Sequence, residues 1–367
     1  MGLEIIEKIS HKYGSDPSYV LAGGGNTSYK NEEHLYIKGS GTQLATITAD
    51  GFVKMSREAL ANIWNKTYSK EQNQREAEVL VDMMGAKCKG EENKRPSVET
   101  LLHNLFKQTY VLHVHPTKVN GLTCSLGGKE LMEKMFPSAI WIEETEPGYT
   151  LAKKCRERIN DYEAKAGKPA NLLFLQNHGV FFAAESEEEM DELVSSVMKK
   201  FDEKISKEPN LNELQYDKAL VSEIANAIKE ANGDVAVEFT LNCEVEKLSK
   251  SRDAFEILMR PMSPDHIVYC KALPLFVENA SNISNDIASF EKANGYKAKI
   301  IFVKGVGMFA IGINEKNAKV VSDVWLDAVK ISVYSQSFGG LRPMAPEMVD
   351  FIANWEVESY RSKVALK

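Results

Sequence analysis

The sequence predicts an α/β protein of two domains, and three observations carry that expectation. Helical and strand-like segments alternate through the first 200 or so residues, the pattern of helices packed on a sheet. The chain has 367 residues, more than the roughly 250–300 at which single cores stop growing. Each half also ends on a similar stretch, LLFLQNHGVFFAAESEEEMDELVSSV from Leu172 and IIFVKGVGMFAIGINEKNAKVVSDVW from Ile300. Both read as strand, glycine turn, Phe-containing strand and helix. Aligned on the glycines, His178 faces Val306 and Gly179 faces Gly307, so the second copy lacks the histidine. The alternative is two unrelated hairpin-plus-helix units of similar composition.

Taken in order, an amphipathic opening helix leads to a glycine-rich turn, LAGGGNTSYK, and a short strand, HLYIKGSG. Helical runs cover residues 57–84. Then come a helix (SVETLLHNLFK), a strand (YVLHVH), a helix (KELMEKMF), a strand (AIWIEE), a helix (LAKKCRERINDYEAK) and the paired strands of NLLFLQNHGVFFAA. A helix over residues 186–203 opens Ser-Glu-Glu-Glu, an N-cap with acids in the first turn. The polar SKEPNLNEL, from Ser206, marks a boundary between domains at 1–207 and 208–367. The tail FIANWEVESYRSKVALK reads as a helix with a mixed polar face.

Composition narrows the function. A net charge of −7 and a pI near 5.7 give no general reason to bind nucleic acid or an anionic membrane. No segment reaches the ~18 apolar residues of a membrane helix. MGLEIIEKIS has no apolar signal core, and Ile6 stands where an acylation signal needs Ser or Thr. Five scattered cysteines without a CxxC pair fit a reduced, cytoplasmic protein.

Two histidines on one strand are the strongest chemical signal. Alternate residues of a strand face one side, so His113 and His115 project together and can converge on one ion. Ordinary sheet histidines bonded to backbone are the competing explanation for HVH alone. His178, at the turn after another apolar strand, tips the balance. Three imidazoles plus an open position is a common catalytic zinc set, with manganese, iron and cobalt as alternatives. In RPSVETLLHNLF, Pro96 can start a helix, Ser97 can cap it, and Glu99 falls in the first turn beside the HVH strand. His103, four residues on, reads as structural. The pair Asp265 and His266 also reads as structural.

GGGNTS (23–28) and KGSGT (38–42) fit neither a P-loop nor a dinucleotide fingerprint. They offer free backbone N–H groups, hydroxyls and an amide, the equipment of an anion nest.

The motifs GGGNTS, KGSG, PSVETLLH, HVHP and QNHG, in this order over residues 20–205, resemble the class II aldolase/adducin family. SPDHIVYCKALPLFV and KIIFVKGVGMFAIG further resemble longer family members that join a rhamnulose-phosphate aldolase to a short-chain dehydrogenase. The resemblance implies a three-layer α/β/α fold with a central, mostly antiparallel sheet, followed by a smaller C-terminal α/β region without metal histidines. It implies zinc on His113, His115 and His178, and Glu99 as catalytic acid/base. Asn26, Thr27, Ser40, Gly41 and Ser97 would hold the substrate phosphate, with Val98 standing where relatives often carry a second hydroxyl. The implied reaction is cleavage of a ketose 1-phosphate, such as rhamnulose 1-phosphate, to dihydroxyacetone phosphate and an aldehyde in a homo-oligomer, of which a tetramer is one form. No dehydrogenase step is expected, since the chain runs to Lys367 without a dinucleotide-binding segment. The alternatives are a pentulose-phosphate 4-epimerase and a non-catalytic adducin-like interaction domain.

Overall fold

The computed structural model describes residues 2–355. They form two compact units, one from residues 2–123, 127–204 and 355, the other from residues 124–126 and 205–354.

The first unit runs α1 (Gly2–Gly14), β1 (Asn26–Lys30), β2 (His34–Lys38), β3 (Phe52–Ser56), α2 (Arg57–Ile63), α3 (Gln72–Gly85), α4 (Thr100–Leu105), β4 (Tyr110–Val114), α5 (Thr117–Thr123), α6 (Gly128–Met135), β5 (Ile140–Ile142), α7 (Tyr149–Ala166), β6 (Leu172–Leu175), β7 (Gly179–Ala184) and α8 (Glu187–Lys204). Its sheet has the order β3-β2-β1-β4-β7-β6-β5. Every pairing is antiparallel except β5 with β6. Side-chain alternation gives the sheet two faces, each covered by helices. Leu35, Ile37, Val53, Val111, Leu173 and Phe181 form one core with residues of α2, α3, α4 and α7. The other face meets α1, which touches β1 and β4, and α8, which touches β7. Three layers result, with a mostly antiparallel sheet in the middle.

The second unit runs α9 (Lys218–Asn232), β8 (Ala236–Thr240), α10 (Cys243–Ser249), α11 (Arg252–Phe255), α12 (Pro264–Cys270), β9 (Leu275–Val277), α13 (Ile283–Asn294), β10 (Ile300–Val303), β11 (Gly307–Gly312), α14 (Glu315–Tyr334) and α15 (Pro346–Asn354). Its sheet, β8-β11-β10-β9, repeats β4-β7-β6-β5 strand for strand, with the parallel pair in the same place. The hairpin registers coincide: Leu175 faces Gly179 and Val303 faces Gly307. So do the turns. Asn177 and Gly305 both have positive φ, 55° and 69°, and their N–H groups donate to Thr123 and Ser249, the last residues of α5 and α10. A shared topology of this detail goes beyond similar composition. The counterpart of β1 to β3 is absent from the second sheet among the described residues.

Three local expectations change. NTSYK is not part of a turn but the interior strand β1, paired with β2 and β4. The polar composition hid a strand. Helix α4 begins at Thr100 rather than at Pro96. Pro96 pairs with Gly39 in an isolated bridge, and Ser97 N–H donates to Lys38 O, which holds residues 96 and 97 extended. α5 follows HVHP at once, and β3 precedes α2; neither is anticipated. Of the tail expected to be helical, α15 covers the start, and residues 356–367 lie outside the described residues.

Candidate metal centre

β4 carries His113 on the face that packs against α4 and α7, while Leu112 and Val114 are buried on the opposite face. His115 follows the strand end, and His178 comes from the β6–β7 turn. The three rings gather, with centroids 4.8 Å (113 to 115), 5.0 Å (113 to 178) and 5.1 Å (115 to 178) apart. Their ligand nitrogens all lie within 4.8 Å of one another. Tetrahedral ligation at ~2.05 Å places nitrogens roughly 3.3 Å apart, and the Nε2 atoms of His113 and His115 are 3.0 Å apart. The triad could hold a metal ion.

Its supports fit that use. His113 Nδ1 is 3.0 Å from Val180 O, so this nitrogen carries the proton and Nε2 is left with a lone pair, the usual arrangement around a ligating imidazole. The His113 ring stacks on Phe181 at 4.1 Å. Gly179 is required by contact: a Cβ there would stand 2.6 Å from both His115 Cδ2 and Val114 O.

Glu99 completes the cluster. It occupies the N-cap position of α4 but makes no side-chain cap bond, so the cap explanation for an acid at this place fails. Its Oε1 lies 3.4 Å from His113 Nε2 and 3.6 Å from His178 Nε2, and no hydrogen-bond donor reaches that buried oxygen among the described residues. A buried carboxylate oxygen without a donor is costly; a cation among the imidazoles would satisfy it. Oε2 accepts from Asn26 Nδ2 at 2.6 Å. Behind Asn26 lies His103, bonded through Nε2 to Asn26 Oδ1 and through Nδ1 to Ser28 Oγ at 2.8 Å. Burial, followed by the nearby His113, holds the His103 imidazole well below its ordinary pKa.

The expected phosphate residues are dispersed. Asn26 joins Glu99 rather than an open loop. Thr27 points the other way, its hydroxyl 2.7 Å from Ser10 Oγ under α1. Ser40 and Ser97 are brought together by the Gly39–Pro96 bridge: Ser40 Oγ donates to Pro96 O at 3.2 Å, and Ser97 Oγ accepts from Glu99 N at 3.2 Å. Gly41 is exposed with φ 94°. The N–H groups of Gly39, Ser40 and Thr42 are already committed to backbone carbonyls. His103 is the participant that the sequence underrates; its spacing of four from Glu99 on a helix is the available signal.

Residues 6–198 match the family model described as the Class II Aldolase and Adducin N-terminal domain. The chain belongs to the class II aldolase and adducin family. Membership supports aldolase-like enzyme activity in general. A curated relative in this comparison is an uncharacterized oxidoreductase, YuxG, of Bacillus subtilis (strain 168), 23% identical over 425 aligned residues. The alignment spans 99% of this chain but only 58% of YuxG. Among solved structures, the N-terminal class II aldolase domain of a conserved protein from Thermoplasma acidophilum is 24% identical, with a TM-score of 0.47 and coverage of 55% of this chain and 93% of that one. The l-fuculose-1-phosphate aldolase from Thermus thermophilus is 14% identical, with a TM-score of 0.35 and coverage of 55% and 90%.

Proposed function

We propose that this chain is a metal-dependent aldehyde-lyase that cleaves a ketose 1-phosphate, of the rhamnulose 1-phosphate kind, to dihydroxyacetone phosphate and an aldehyde. Family membership supports the reaction class, and one observation carries the assignment: the donor-free Oε1 of Glu99 within 3.6 Å of two imidazoles. The residues present suit a divalent metal on His113, His115 and His178, zinc first. When bound, the metal supplies Lewis-acid stabilisation of charge developing on the substrate oxygens.

The rest falls to the chain. Glu99, anchored at Oε2 by Asn26, has Oε1 free to give or take a proton at the carbon next to the substrate carbonyl. Phe181 and Val180 O hold the His113 ring. Ser40, Gly41 and Ser97, joined at the Gly39–Pro96 bridge, with Ser97 two residues before Glu99, are the proposed phosphate loop. We assign the catalytic role to residues 1–207, and the described residues from 208 onward to a second domain without the metal set.

The test is a cleavage screen of ketose 1-phosphates with and without chelator, read as dihydroxyacetone phosphate. Chelator-sensitive release of that product is expected. A single isomerised pentulose phosphate would instead indicate the 4-epimerase, and metal-free protein without turnover would indicate a non-catalytic domain.

A further inference from the structure

We infer that His103 is a positioning residue that aims the Glu99 carboxylate through Asn26. The inference rests on the role proposed for Glu99.

The hydrogen-bond inventory fixes the direction of the chain. The Asn26 amide donates an N–H to Glu99 Oε2 at 2.6 Å. The amide carbonyl then faces His103, whose Nε2 must be the donor. One neutral tautomer remains: Nδ1 is the acceptor, and the Ser28 hydroxyl donates to it at 2.8 Å. The bonds run one way, from Ser28 to His103 to Asn26 to Glu99.

Burial makes this chain rigid. Ser28 and His103 are 0% exposed, and Asn26 and Glu99 are 7% exposed. Unpaired polar groups cost most in such surroundings, so each link has a strong reason to stay made. β1 supplies Asn26 and Ser28 from one face, two residues apart, and α4 supplies His103 one turn beyond Glu99. The His103 ring is held edge-on by Phe181 at 5.3 Å, the same ring that stacks on His113. One phenyl therefore indexes the imidazole that orients the acid against an imidazole of the candidate metal set. With Oε2 tied back, Oε1 is the oxygen presented to His113 and His178.

Two measurements test this. In metal-free protein labelled with 15N-histidine, the His103 signal, identified by its loss in His103→Phe, is expected as the Nε2–H tautomer, with a proton protected from exchange in wild type and exposed in Asn26→Ala. An Nδ1–H tautomer, or a proton indifferent to Asn26→Ala, would overturn the chain of bonds. In the metal-loaded enzyme, Asn26→Ala and His103→Phe are each expected to lower kcat on the order of 10- to 100-fold with metal content unchanged, and in His103→Phe with KM unchanged as well. The double variant should be no slower than Asn26→Ala, because both changes cut one path. His103→Gln, which keeps a donor, should recover part of the loss. A raised KM with normal kcat in His103→Phe, or additive losses in the double variant, would overturn the inference. If wild type cleaves no ketose 1-phosphate, the aldolase assignment fails, and the imidazole signals still decide the hydrogen-bond chain.

Discussion

In the first unit His113 stacks on Phe181 at 4.1 Å; at the matching place in the second, Phe239 meets Phe309 at 4.9 Å. The registers make these pairs equivalent, since His113 faces Phe181 across β4 and β7 as Phe239 faces Phe309 across β8 and β11. Following the same frame, Leu241 stands for His115 and Val306 for His178. The difference separates packing from chemistry. A phenyl ring fills this place without needing a hydrogen bond, whereas a buried imidazole needs Val180 O to hold its proton. Where the frame runs equally well on apolar side chains, three imidazoles serve something other than the core. The acids differ too. Asp217 at the N-cap of α9 accepts from Ala219 N and Leu220 N, while Glu99 at the N-cap of α4 leaves the cap unmade and turns to the histidines.

The largest expected effect comes from moving the second unit's residue into the first. His113→Phe should keep the fold, with stability changed by about 1 kcal/mol or less, and lose the bound ion, from about one metal per chain to none by mass spectrometry of metals. Full metal occupancy would break the comparison. Next in size is Glu99→Gln, with kcat expected to fall on the order of 10²- to 10⁴-fold at unchanged metal content. Wild-type turnover would make Glu99 the equal of Asp217, a residue of the helix start.

A smaller effect distinguishes the two glycines. Gly179→Ala should destabilise by about 1–3 kcal/mol and weaken metal binding, because its Cβ meets His115. Gly307→Ala, whose Cβ would stand 2.9 Å from the Phe239 ring at φ 147°, should destabilise and leave the metal untouched. Denaturant unfolding with metal titration checks both.

The smallest concerns a buried lysine in the first unit, Lys30, and a half-buried one in the second, Lys299. Lys30 donates to Gln108 O and Lys299 to Tyr269 O; burial lowers both amines, Lys30 to about 7. Between pH 7 and 9 the unfolded chain holds the Lys30 proton and the folded chain sheds it, so stability should rise with pH. One proton caps the slope at ~1.4 kcal/mol per pH unit. Lys30→Met should flatten the rise, as measured by denaturant midpoints across that window.

The sequence made the repeat, the paired histidines and most helices legible because periodicity and glycine spacing are local signals. β1 escaped because Asn-Thr-Ser carries no apolar alternation; its place is fixed by partners on both sides. The α4 start was misjudged because Pro and Ser are good helix openers, yet the Gly39–Pro96 bridge claims that backbone first. The separation of Asn26 from Thr27 follows from β1 being a strand, so one missed element scattered the expected phosphate set.

The turn shared by Asn177 and Gly305 has a use in protein engineering. Since the second unit already presents Phe239, Leu241 and Val306 on the frame that carries the histidines in the first, it is a prepared scaffold. Replacing all three by histidine would graft a metal chelate there without an acid at the head of the preceding helix, because Asp217 is spent on its own helix. One polypeptide would then hold a three-histidine centre faced by a carboxylate and a matched centre without one.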